Sequence, residues 1–258
     1  MFDLFSDIYA DRGNRFTRMD ARAKLFAAAV TLVAVIAAPG PVLPVMILVL
    51  SIVALLAARV GPGMIVGRMI SPLMMAGVLL VVNMLLSGHT PLISIPFGRW
   101  HLVLMKEGLH QGVFLASRVM GATGVLLFLG FTTPAHRIFA ALRWYGAPES
   151  WVELAISIYR HTFTLIDTAS DMYYAQRVRL GYAGARRSLE SSGVLVGSVL
   201  LRSLEQATRT HEAMVARGYT GNTVMGPLPR LVRADAAAAI VWAVCVLSAL
   251  CVVWNKGI

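Results

Sequence analysis

Apolar positions in this chain are gathered into five runs, separated by charged or turn-forming residues. The runs lie at about Leu25–Ala38, Val42–Ala58, Met69–Leu86, Gly112–Phe131 and Ala234–Trp254. A helix needs roughly 20 mostly apolar residues to cross the hydrocarbon core of a bilayer. The first run is short, and Pro39-Gly40-Pro41 divides it from the second, which predicts a tight helical hairpin. Pro72 falls in the first turn of the third run, where a proline is tolerated. Five membrane-spanning helices are therefore expected.

Between the fourth and fifth runs the pattern changes. Ala135–Tyr145 reads as a short amphipathic helix closed by Gly146 and Pro148. Val152, Ile156, Tyr159, Phe163, Ile166 and Tyr173 then recur at helical spacing, marking one face of a long helix stopped by Gly181 and Gly184. The stretch AGARRSLESSG, residues 183–193, reads as a polar connection. Val196, Val199, Leu200, Leu204, Ala207, His211 and Met214 mark a second long helix, which Gly218 ends. Residues 149–169 are apolar enough to raise the question of a sixth span. They contain Glu149, Glu153, Arg160, His161 and Asp167, and a charge near a span centre costs about 2.5–3.5 kcal/mol. This stretch can lie at membrane depth only where it packs on other helices. The expected organisation is a membrane domain over 1–131, a cytoplasmic helical region over 132–233 and a final span over 234–258.

Composition agrees with a membrane protein and adds a charge problem. Of 258 residues, 57% are hydrophobic and 14% charged, with a mean hydropathy of +0.70, yet the formal net charge is +10. If the N-terminus is cytoplasmic, nineteen of the 23 Lys and Arg residues fall on the cytoplasmic side. Arg99, Lys106 and Lys256 fall outside, and Arg118 lies within the fourth span. That bias is the one that orients bacterial membrane proteins. The N-terminal stretch is charged and amphipathic, unlike a cleavable signal.

Several kinds of chemistry find no support. No GxxxxGK[ST] stretch is present to hold ATP phosphates, and no HExxH or CxxC spacing to hold a metal. His89, His101 and His110 read as ordinary loop histidines, and the thirteen methionines are scattered packing residues. Cys245 and Cys251 sit on different turns of one helix, too poorly placed for a disulfide. A channel or self-contained transporter, with the basic region binding lipid or a partner, is the alternative class. Its spans would be expected to carry ionisable residues, whereas here Arg118 and Asn83 stand nearly alone. Arg118 is expected to snorkel outward or pair with a partner helix.

Each long helix of the 132–233 region ends alike. One reads AQRVRLGYAG, the other AMVARGYTG, and the first carries an additional Leu180 between its Arg and its Gly. Glycine is a common helix terminator, and arginine in a last turn complements the helix dipole. The same features suit a docking device: a helix tip with small residues, able to enter a groove and place a guanidinium on a carboxylate.

These features together resemble the transmembrane T component of energy-coupling factor (ECF) transporters, in particular the CbiQ/NikQ branch of cobalt and nickel systems. The family's two Ala-Arg-Gly signatures match Val178-Arg179-Leu180 and Ala216-Arg217-Gly218, the second in full. Its Asp-Pro-Arg-x-Lys-Leu signature matches Asp20-Ala21-Arg22-Ala23-Lys24-Leu25, with alanine for proline, and Thr133-Pro134, Pro148 and Arg160 also fit the pattern. The resemblance implies an all-α polytopic protein of the bacterial inner membrane, with long cytoplasmic coupling helices. It implies a non-catalytic subunit, without cofactor or metal of its own and without nucleic acid. Two ABC ATPase subunits would dock on Arg179 and Arg217, and a separate membrane subunit would capture the substrate.

Overall fold

The computed structural model describes residues 19–87, 91–97, 100–219 and 232–256, with side chains described outside 91–104 and 256. Among them are eight helices: α1 (Ala21–Ala37), α2 (Val42–Ala57), α3 (Pro62–Leu86), α4 (Lys106–Thr132), α5 (Ala135–Trp144), α6 (Glu149–Val178), α7 (Ala185–Ala216) and α8 (Arg233–Lys256). All five apolar runs are helical. α3, α4 and α8 are each long and apolar enough to cross a membrane. α2 is apolar but has 16 residues, about 24 Å at 1.5 Å per residue. α1 has 17 and is joined to α2 through the Pro-Gly-Pro turn. The chain is a multi-pass, predominantly helical membrane protein.

The structure departs from the sequence expectations in two places. The connection between α3 and α4 holds an antiparallel ribbon, β1 (Pro91–Phe97) with β2 (Trp100–Met105), in which Ile95 stands opposite Leu102 and Phe97 opposite Trp100. Pro96 has no N–H to give, but a two-stranded ribbon leaves each strand an unpaired edge where proline is tolerated. The second departure is α7, which begins at Ala185, so most of the expected polar connection is helix. Ala185 to Ser192 are adequate helix formers, and Arg186 Nε donates to Glu190 Oε1 at 3.2 Å, one turn on.

The chain divides into two compact units, one containing residues to Ala141 with the C-terminal helix, the other running from Leu142 to Pro229. In the first unit α1, α2 and α3 all pack on α4. Close approach depends on glycine. A Cβ on Gly121 would lie 2.7 Å from the carbonyl oxygen of Pro44 in α2, and one on Gly108 would lie 2.2 Å from that of Asn83 in α3. Small interfacial residues of this kind replace the hydrophobic drive that lipid does not supply. Large apolar side chains are correspondingly turned outward, as with Val66, Leu73, Met74 and Val78 of α3. Two buried clusters fill the interior: Val35, Leu43, Ile47 and Val125 in one, Leu55, Val60, Ile65 and Phe131 in the other.

α1 and α4 also cap one another. Lys24 of α1 is buried and its ammonium donates to the carbonyl of Thr132, the last residue of α4, at 2.9 Å. Arg118 of α4 donates from Nη2 to the carbonyl of Ala38, the C-cap of α1, at 2.7 Å, with its guanidinium 4.1 Å from the Phe114 ring centroid. Arg118 thus serves a neighbouring helix of its own chain, as one of the two sequence expectations had it. The last carbonyls of a helix have no partner within it, and each cation supplies one at the negative end of the dipole. The N-terminus of α1 is tied to α8: Asp20 caps α1 by accepting from the N–H of Arg22 at 3.0 Å, and its own N–H donates to Asp235 Oδ2 at 2.8 Å.

Lys24→Met should leave the Thr132 carbonyl buried and unpaired. Such a loss costs about 1–3 kcal/mol, which would lower the unfolding midpoint in detergent, with Lys24→Arg closer to wild type. Gly121→Val should be destabilising by about 1–3 kcal/mol through overpacking against α2 in the same assay.

Candidate functional site

The six residues singled out from the sequence lie in the second unit, at two helix ends. Val178, Arg179 and Leu180 close α6, and Ala216, Arg217 and Gly218 close α7. α6 has 30 residues and α7 has 32, so each is about 45–48 Å long. All six residues are exposed.

The two ends have the same backbone geometry. At the end of α7, Arg217 is the C-cap and Gly218 follows in the left-handed conformation, φ +83°. The N–H of Gly218 donates to Val215 O at 2.9 Å and that of Tyr219 to Met214 O at 3.0 Å. At the end of α6, Arg179 is the C-cap and Leu180 is left-handed, φ +57°. The N–H of Leu180 donates to Arg177 O at 3.1 Å and that of Gly181 to Gln176 O at 3.0 Å. Both are Schellman caps, with the paired 5→2 and 6→1 bonds that satisfy a helix's last carbonyls. Leu180 is thus the structural counterpart of Gly218, and Gly181 of Tyr219. What reads as an inserted residue is a substitution at the left-handed position.

The same cap closes α2, with Ala58 at the C-cap and Arg59 left-handed, and α5, with Tyr145 and Gly146. Only α6 and α7 carry arginine at the C-cap among these four described ends. The backbone of each end is satisfied within the chain. The guanidinium groups of Arg179 and Arg217 make no hydrogen bond or ion pair among the described residues. Each end therefore offers an unengaged, forked cation on a rigid support.

The first end is braced against α7. Ser191 of α7 donates to the carbonyl of Gly181 at 2.9 Å, and a Cβ on Gly181 would come within 2.7 Å of that hydroxyl oxygen. Tyr182 folds back on α6, its hydroxyl donating to Gln176 Oε1 at 2.8 Å and its ring centroid 5.0 Å from that of Tyr173. Arg177, Arg186 and Arg187 lie close in sequence to Arg179 and are exposed. Sequence reading did not reveal Ser191 as a brace, because a serine twelve residues from Arg179 carries no pattern. Gly181 was visible only as a helix stop.

At the start of the second unit Arg143 pairs with Glu149 across the turn between α5 and α6. Of the outer-loop histidines, His110 lies instead in the first turns of α4 and is exposed, and His89 falls outside the described residues. No three His, Cys, Asp or Glu side chains come together among the described residues. Cys245 and Cys251 are free thiols.

The chain is similar to known proteins over most of its length. The family model described as CbiQ, cobalt transport protein, matches residues 13–227. A cobalt transport protein CbiQ of Rhodobacter capsulatus is 33% identical over 118 residues, covering 46% of this chain and 48% of that one. A putative fused cobalt transport protein CbiMQ of Methanocorpusculum labreanum is 29% identical over 189 residues, which is 72% of this chain and 32% of the fused protein. An uncharacterized protein of Methanocaldococcus jannaschii is 30% identical over 142 residues, covering 55% of this chain and 53% of that protein. The aligned region thus spans about half or less of the length of each of these relatives.

Replacing Gly218 by valine should strain the left-handed position and loosen the cap that closes α7. Hydrogen exchange of the Gly218 and Tyr219 amides should speed up, with the middle of α7 unchanged.

Proposed function

Since the chain belongs to the CbiQ cobalt transport protein family, we propose that it is the transmembrane coupling subunit of an ECF-type ABC importer taking up cobalt or nickel. It carries no ATP-binding motif of its own, so the energy enters through partners. Two ABC ATPase subunits dock on the ends of α6 and α7, and ATP-driven movement of those subunits is passed to a separate membrane subunit that captures the metal. Residues 132–233 form the coupling region and face the cytoplasm with the N-terminus, in the cell membrane. The fused relative, whose name joins a second protein to CbiQ, supports a membrane partner for the substrate step.

The observation that carries this reading is the pair of equivalent helix ends. Each holds an arginine at the C-cap on a 30- to 32-residue helix, with nothing in the described chain engaging the guanidinium. A structural arginine would be expected to find a partner nearby. A coupling arginine must stay free to form a bidentate pair with an acidic group of the motor. Long, regular helices are also suited to carrying a push at one end to contacts along their length.

Arg217→Glu should reduce co-purification of the ATPase subunits more than tenfold and abolish uptake of radioactive cobalt or nickel, since breaking a buried charged pair costs about 2–5 kcal/mol. Arg217→Lys should be intermediate, because lysine keeps the charge but loses the fork. Normal assembly of the complex with both Arg179 and Arg217 replaced by glutamate would overturn the assignment.

A further inference from the structure

The two helix ends share a backbone but not a surface. In α7 the left-handed place is filled by Gly218, and apart from its chain neighbours no atom of the described residues lies within 4 Å of where its Cβ would be. In α6 the same place is filled by Leu180. A side chain in this conformation costs roughly 1–2 kcal/mol relative to the right-handed one, and glycine escapes the cost. Leu180 is one of two non-glycine residues with positive φ among the described residues, the other being Arg59.

Arg59 has a local reason. Its charge sits at the negative end of α2, and the chain enters the buried Val60 directly after it. Leu180 has none. It carries no charge and is 67% exposed, so burial within the chain does not offset the strain. Val178, two residues before, is 84% exposed. Two apolar side chains thus stand on either side of the unengaged Arg179, with the exposed Arg177 beside them. Strain retained where the chain's own packing does not reward it points to a contact made elsewhere.

We infer that Leu180 is an apolar anchor of the first coupling end, seated in a hydrophobic notch of an ATPase subunit beside the carboxylate that takes Arg179. This rests on the coupling reading and adds to it. The two ends then hold the ATPase pair unequally. The α6 end grips by an apolar side chain and a charge, whereas the α7 end presents Arg217 and bare backbone. The occupant is an acidic protein surface with an apolar notch rather than the bilayer. A single leucine fixed by backbone geometry between arginines is a shaped key, while lipid rewards a broad apolar face. The same arginine cap on α7 calls for a second matching socket, which a pair of like subunits provides.

The test compares variants of the full-length chain in nanodiscs for binding of the ABC ATPase subunits from the same cell. Leu180→Gly and Leu180→Asn both suit the left-handed conformation and leave the helix end folded, which hydrogen exchange of the Leu180-position and Gly181 amides verifies. Both should weaken binding about tenfold or more, as loss of an interface anchor does. Leu180→Met should retain most of it. Binding within twofold of wild type for the glycine and asparagine variants overturns the anchor. If Arg217→Glu abolishes binding in the same series, the coupling reading stands while the anchor falls. If wild type binds no ATPase subunit, both fall. A loss of attachment to anionic lipid vesicles with ATPase binding unchanged would assign Leu180 to the membrane and also overturn the proposal.

Discussion

The reciprocal capping of α1 and α4 is the constraint on which the membrane part of the fold depends. Lys24 sits fourteen residues before Ala38 in the first hairpin, and Arg118 sits fourteen before Thr132 in α4. Each cation reaches the far end of the other helix. The two spacings are equal, so the antiparallel pair is fixed in one register, and a shift by a turn would break both bonds at once. In a bilayer, unpaired carbonyls and unpaired cations are both expensive. Bringing one to the other offsets part of both costs with a single contact, although the buried Nε of Arg118 has no hydrogen-bond partner among the described residues.

The remaining helices are arranged around that pair. Gly121 lets α2 approach α4 closely, and Gly108 does the same for α3. α8 is held to α1 at its first turn by Asp235 and further along by Trp242, whose indole Nε1 donates to Thr31 Oγ1 at 3.0 Å. The chain leaves the membrane helices at Thr132 and returns to them at α8, and both points are tied to the short stretch Asp20–Lys24. That gives the N-terminal signature a physical content. Asp20 supplies a cap and a link to α8, and Lys24 supplies the cap of α4.

The apolar runs were legible because bilayer thickness imposes a length and composition on a span: all five fell on helices, within a few residues at most ends, and three of those helices are long and apolar enough to cross a membrane. The amphipathic periodicities of 152–173 and 196–214 likewise fell on helices. Other features were not legible, each for a physical reason. The β-ribbon is two short strands whose Ile, Val, Phe and Trp favour a strand, but Pro91 and Pro96 interrupt the first and read as loop. The start of α7 was masked by polar residues that are nonetheless good helix formers, so polarity stood in for irregularity. The links from Lys24 to Thr132 and from Asp20 to Asp235 join positions 108 and 215 apart, which no local pattern can reveal. The six residues at the helix ends were legible as a pair of similar endings, with two alignments open: one matching the glycines, the other, as in the family signature, matching the arginines. Matching Gly with Gly makes Leu180 an insertion, whereas matching the arginines makes it the left-handed residue.

That correspondence bears on how a repeated motif should be read in any helical protein. A Schellman cap is determined by the backbone and tolerates several residues at its left-handed place, so the ends of α2, α5, α6 and α7 are alike in hydrogen bonding and unlike in sequence. The cap explains why each helix stops. It does not explain why arginine occupies the C-cap at two ends and not at Ala58 or Tyr145. An arginine that merely complemented a dipole could stand anywhere in the last turn, as Arg143 does in α5, where it also finds Glu149. At α6 and α7 it stands at the same cap position on the same turn, exposed and without a partner in the described chain. Equivalence of position without a shared structural need is what separates a presented group from a stabilising one.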